Sequence, residues 1–166
     1  MTLYIGSTPL SKAYIGSTEL QKIYVGSTEV WSNFTASGMT KNASTQFFSG
    51  LTQVQITGMT PEVGSSLAGS ALLPNGPKVG ASVSCQVYCT GIGYGNTLTV
   101  QVRKNGVLIP GASITTSNIY VSTYTIVVPT VTTDVVGTDQ ITIWINASSS
   151  GSATVAAGTG TYVRIG

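Results

Sequence analysis

The chain has 166 residues, of which 7% are charged, with seven Lys or Arg against five Asp or Glu and no histidine. Without imidazole there is no Ser-His-Asp triad, no Cys-His dyad and no histidine metal site, and five scattered carboxylates leave little for acid–base chemistry. A net charge of +2 is too small for phosphate-driven nucleic-acid binding.

Residue usage points to a folded β-protein. Apolar residues make up 42% of the chain, 45 residues are Ser or Thr, and 20 are Gly. That is enough apolar content to bury a core. No apolar run approaches the ~18 residues that cross a bilayer, so no membrane insertion is expected. The start, Met1-Thr-Leu-Tyr-Ile-Gly, lacks a basic segment and an apolar stretch, so no secretory signal is expected.

The chain opens on a repeat. Tyr4-Ile-Gly-Ser-Thr-Pro-Leu-Ser-Lys-Ala is followed by Tyr14-Ile-Gly-Ser-Thr-Glu-Leu-Gln-Lys-Ile and then by Tyr24-Val-Gly-Ser-Thr-Glu-Val-Trp. The spacing from Tyr4 to Tyr14 to Tyr24 is even and therefore keeps strand alternation in phase. Gly-Ser-Thr is a turn signal, and Tyr with Ile or Val is strand-forming. The expectation is about three short strands turning at Gly6, Gly16 and Gly26. Within residues 19–25, Leu20, Lys22 and Tyr24 would share one face and Gln21, Ile23 and Val25 the other. About thirty residues cannot bury two apolar faces alone. Residues 1–32 are therefore read as an assembly arm, with Tyr4, Ile5, Tyr14, Ile15, Tyr24, Val25 and Trp31 as its candidate contact residues. Lys12 and Lys22 oppose Glu19 and Glu29 in sign, so neighbouring copies could pair.

Residues 33–45 read as a linker, and residues 46–166 as one antiparallel β-sandwich. In Cys85-Gln-Val-Tyr-Cys89 the two cysteines fall on one face of a strand. Their Cα atoms would lie roughly 13 Å apart at about 3.3 Å per residue, too far for a disulfide. Buried free thiols are expected, and no metal pair. Gly91-Ile-Gly-Tyr-Gly-Asn has no lysine and no following helix, so it is not a phosphate cradle. Asn96–Lys104 alternates, Asn105-Gly106 is a hairpin turn, and Val107-Leu108-Ile109 begins the return strand. Ile119–Val128 is a strand stopped by Pro129. Asp134 and Asp139 read as turn residues. Gln140–Asn146 alternates with Ile141, Ile143 and Ile145 inward, and short strands follow at 153–156 and 161–165. Tyr88, Tyr94, Tyr120, Tyr124 and Trp144 read as strand packing, with a sugar-binding face as the other possibility.

No window has a helical period. The fold class is all-β, a short β-repeat arm followed by an antiparallel sandwich of jelly-roll or immunoglobulin-like topology. No catalytic set, cofactor or metal site is expected, and the chain does not read as an enzyme.

The repeats resemble those that open many bacteriophage virion proteins. Leu51-Thr-Gln-Val-Gln-Ile-Thr-Gly-Met-Thr-Pro, Val102-Arg-Lys-Asn-Gly-Val, Val136-Gly-Thr-Asp-Gln-Ile-Thr-Ile and Gly158-Thr-Gly-Thr-Tyr-Val-Arg-Ile resemble the sandwich domain of minor tail proteins of actinobacterial phages. The final hairpins also resemble C1q/TNF-like jelly rolls. These resemblances imply a virion protein, made in the host cytoplasm, that binds other tail or capsid proteins. They also imply self-association, as a homotrimer. A capsid decoration protein or head fibre needs the same parts, and a module binding host-surface glycan is a further expectation.

Overall fold

In the computed structural model, residues 4–5, 8–9, 12–20 and 22–166 are described, with side chains left aside at 4–5, 8–9 and 28–32. The repeat forms hairpins: β1 (Tyr4–Ile5) with β2 (Thr8–Pro9), β3 (Ala13–Ile15) with β4 (Thr18–Leu20), and β5 (Lys22–Val25) with β6 (Thr28–Ser32). The second and third decapeptides are therefore each two strands and a turn, not the single strand expected, and the turn expected at Gly6 lies outside the described residues. Gly16 and Gly26 have φ near +60° while Ser17 and Ser27 do not. That is the two-residue turn with glycine first, whose twist suits a tight hairpin. The face-sharing expected across 19–25 runs through Gln21, outside the described residues.

The remaining strands build a two-layered sandwich. They are β7 (Ser37–Lys41), β8 (Gln46–Ser49), β9 (Val54–Gln55), β10 (Met59–Pro61), β11 (Ser66–Ala68), β12 (Ala71–Leu73), β13 (Lys78–Thr90), β14 (Leu98–Lys104), β15 (Val107–Thr115), β16 (Thr123–Val135), β17 (Ile141–Ala147), β18 (Ser152–Val155) and β19 (Tyr162–Ile165). One sheet runs β10-β7-β19-β13-β18-β8, with β16 on β13; the other runs β11-β12-β17-β14-β15, with β9 on β17. All pairings among the described residues are antiparallel, and the chain crosses repeatedly between the layers in the manner of a jelly roll.

Alternation places the core. Ala81, Val83, Cys85, Val87 and Cys89 of β13 and Ile141, Ile143 and Ile145 of β17 face inward and are buried, with Leu98, Val100 and Val102 of β14 between the layers.

Two boundaries differ from the sequence reading. The stretch 33–45 is not a linker throughout: β7 pairs with β19 and β10, and Ser37, Met39 and Lys41 are buried. Met39 is its lone large apolar side chain, so its period is invisible. β16 begins at Thr123, four residues later than the Ile119 expected, and runs through Pro129 instead of stopping there. Among the described residues β16 pairs with β13 alone, and an edge strand tolerates a residue without an N–H.

Candidate functional site

Among the described residues the arm and the sandwich are joined in sequence but not in hydrogen-bonded sheet. Each arm hairpin is its own two-stranded sheet. Tyr14 pairs with Glu19 and Ile15 with Thr18 in register, so the aromatic and the aliphatic side chains take opposite faces. Ile15 is 71% exposed and Val25 69%, and Tyr14 and Tyr24 are also exposed. Lys12 meets Glu19 at 3.4 Å within one hairpin, and this neighbour raises the lysine's pKa. This pair joins the end of the first repeat to the second within one hairpin of the chain itself. Tyr4, Ile5 and Trp31 lie where no side chain is described.

The sandwich offers a second surface. The outward row across the first sheet is Thr40, Tyr162, Gln86 and Val127, by register. Tyr88 stands next to it, half-buried, over Gly160, where an added Cβ would come within 3.1 Å of the Tyr88 Cβ. At the same side of the molecule, β15 and β16 are the edge strands of the two sheets. A cleft of about 400 Å³ runs between them, lined by Thr115, Thr116, Tyr124, Thr125 and Val127 among others. A 13-residue edge strand carrying exposed Tyr124 and Val127 is a surface that folded proteins cover.

A smaller cleft of about 270 Å³ lies between β7, β13 and β19, lined by Gly38, Glu62, Ser84 and Arg164 among others. Arg164 Nη2 meets Glu62 Oε1 at 2.7 Å, and its guanidinium lies 4.3 Å from the Tyr162 ring centre. The charge there is already matched. Gly38 leaves room for the Glu62 carboxylate, which an added Cβ would displace.

Cys85 and Cys89 are free and buried, as their spacing predicts. Burial raises both thiols, Cys89 to about 12. Asp139 is buried and staples the base of the sandwich. It accepts from Asn105 Nδ2 at 2.7 Å and from the Val136 N–H at 2.9 Å. Asp134 accepts from the Gly80 N–H at 2.8 Å. Asp139 is a turn residue as expected, closing the 136–139 turn, whereas Asp134 is not: it lies within β16, where the expected turn gives way to strand pairing with β13.

The aromatic residues separate into two groups. Trp144 is half-buried under the Arg103 guanidinium at 4.6 Å and donates from Nε1 to Thr142 Oγ1 at 3.0 Å. Tyr94 and Tyr120 are brought together in the open, with ring centres 4.7 Å apart. The sequence carries no short-range signal for that pairing, nor for Asn96 and Asn118 beside it.

No protein-family model and no curated protein sequence matches this chain. Among solved structures the fold is similar to the Eiger TNF of S. frugiperda, with a TM-score of 0.53 at 8% identity, over 80% of this chain and 90% of that one. At that identity the likeness is one of fold, and it supports jelly-roll topology over an immunoglobulin-like one.

Proposed function

We propose that this chain is a structural component of a bacteriophage virion, a minor tail protein whose hairpin arm joins it to the particle and whose jelly roll projects. One observation carries this reading. The core is closed by strands from residue 37 onward, while three near-identical hairpins pair with none of them and hold Tyr14, Ile15, Tyr24 and Val25 in solvent. Burying such side chains against a partner is worth about 1.5–3 kcal/mol each. The resemblance of the repeats to those of virion proteins supplies the partner class.

The chain's own copies are a second partner. The resemblance to C1q/TNF-like jelly rolls implies a homotrimer. The uncharged outward row at Tyr162, Gln86 and Val127, with the long edge of β16, supplies a surface for it. A closed ring covers identical edges without leaving one free.

Deletion of residues 1–32 tests the reading. The truncated protein should stay folded and soluble, keep a melting temperature within a few degrees of the full chain, and fail to join its particle. Unchanged occupancy in purified virions would remove the arm's role.

A further inference from the structure

The jelly roll has two unlike ends. The chain enters it at Thr35, which bridges Asn75, close to where β13 begins. The 13 residues of β13 then run about 40 Å away from that entry, at ~3.3 Å per residue. They end at the loop 91–97, where the loops 116–122 and 148–151 also meet. Asn96 ties the three together. Its N–H donates to the Gly93 carbonyl at 3.2 Å, its own carbonyl accepts from the Ile119 N–H at 2.8 Å, and its Oδ1 accepts from Ser148 Oγ at 3.3 Å. Gly93 and Gly151 make room for it: a Cβ would come within 2.5 Å of the Asn96 side chain at Gly93 and within 2.8 Å at Gly151.

On this braced support Tyr94 and Tyr120 stand edge to face, 83% and 56% exposed. Asn118 Nδ2 reaches the Tyr120 hydroxyl at 3.4 Å. The three loops carry no charge, and Lys41, whose ammonium is held by Asn42 and Ser44, is a buried residue. Residues 42–61, 91–97, 116–122 and 148–152 contain no Asp, Glu, Lys or Arg. The charged groups Lys104, Asp134 and Asp139 cluster at the opposite end, around the 105–106 turn. An anionic polymer, a nucleic acid or a charged peptide finds no counter-charge here. What the end offers is two open π-faces, an amide and several hydroxyls. That set suits a ligand with a flat C–H face and a rim of hydroxyls, because ring faces are electron-rich and attract C–H groups.

We propose that this end binds a neutral saccharide, with a pyranose ring stacked on the Tyr94–Tyr120 pair and its hydroxyls bonded to Asn118. The site stands on the jelly roll alone and does not depend on how the arm is anchored.

The full chain is titrated with neutral tetrasaccharides of glucose, galactose, mannose and rhamnose, and with tetragalacturonate, while the tyrosine ring resonances are followed by NMR. At least one neutral probe should saturate and shift the Tyr94 and Tyr120 signals. Tyr94→Ala and Tyr120→Ala should each weaken it by about tenfold or more, with unchanged melting temperature. Val107→Ala, at the other end, should bind as the native chain does. The proposal is overturned if no neutral probe moves these rings, if tetragalacturonate binds as tightly, or if both tyrosine variants bind normally. It is overturned too if Tyr94→Ala lowers the native mass, which would give the rings to a second copy.

Discussion

Cys85 and Cys89 point inward from alternate positions of β13 and are sealed by the opposite layer. Because burial disfavours the thiolate, both pKa values rise on folding. The unfolded chain therefore releases these protons first as pH climbs. The thiols' contribution to stability is complete below the ordinary value of 9.0 and drains away above it, toward about 12 for Cys89. At pH 10 the loss should be on the order of 1–3 kcal/mol for the pair. Urea midpoints at pH 7.5 and pH 10 would show it as a larger alkaline drop in the native chain than in the Cys85→Ala/Cys89→Ala variant. Equal drops would mean that the thiols reach solvent. Native thiol titration should be slow for the same reason. This pair was legible from the sequence because period 2 fixes both their face and their separation. The Tyr94–Tyr120 contact was not, because 25 residues and two whole strands lie between the rings.

At the scale of elements, the turns decide what the strands can do. Asn105 and Gly106 both have positive φ, at 52° and 81°, which is the turn that Asn-Gly encodes. The same Asn105 reaches across to the next connection. Its side chain donates to Asp139, and its Oδ1 accepts from the Gln140 N–H at 2.8 Å. Asp139→Ala would remove at once the acceptor of the Val136 N–H and of the Asn105 amide. The expected loss is about 1–3 kcal/mol in chemical denaturation, with the fold retained. A change below a few tenths would mean that water replaces the carboxylate freely. The sequence marked Asp139 as a turn residue and Asn105 as a hairpin residue, but the bond between them depends on β14 and β17 being neighbours. β7 shows the opposite failure. Ser37-Gly-Met-Thr-Lys has no alternating pattern to read, and β7 is a strand because β19 and β10 flank it. Where tertiary pairing overrides local preference, pattern carries no signal.

At the scale of the molecule, association should be apolar in origin. The outward row of the first sheet has no charge, and the arm's Lys12–Glu19 pair is satisfied within its hairpin. Exposed ion pairs of that kind add only about 0–1 kcal/mol. Self-association should therefore survive a rise from 0.1 to 1 M salt. Sedimentation at both ionic strengths would give the same oligomer mass, with a trimer expected. A monomer at micromolar concentration in both would leave the arm to pair only with a protein of different sequence. The all-β class and the sandwich were legible from strand spacing and turn residues. The jelly-roll order was not, because it depends on which distant strands pair: β13 with β16, β18 and β19 at once.

That threefold pairing of β13 also governs how the molecule bears load. The chain enters beside one end of this strand, and the tyrosine pair stands at the other. If the arm is anchored and the tyrosine pair holds a ligand, as proposed, a pull between them would act along β13, in line with the strands. Hydrogen bonds crossing that line are strained together, in shear, and none can open ahead of the rest as in a zipper. The strand that carries the force from anchor to tip is also the one clamped along most of its length by neighbours on both sides. Under such a pull this topology sets the hydrogen bonds of β13 in shear, the arrangement that resists extension most.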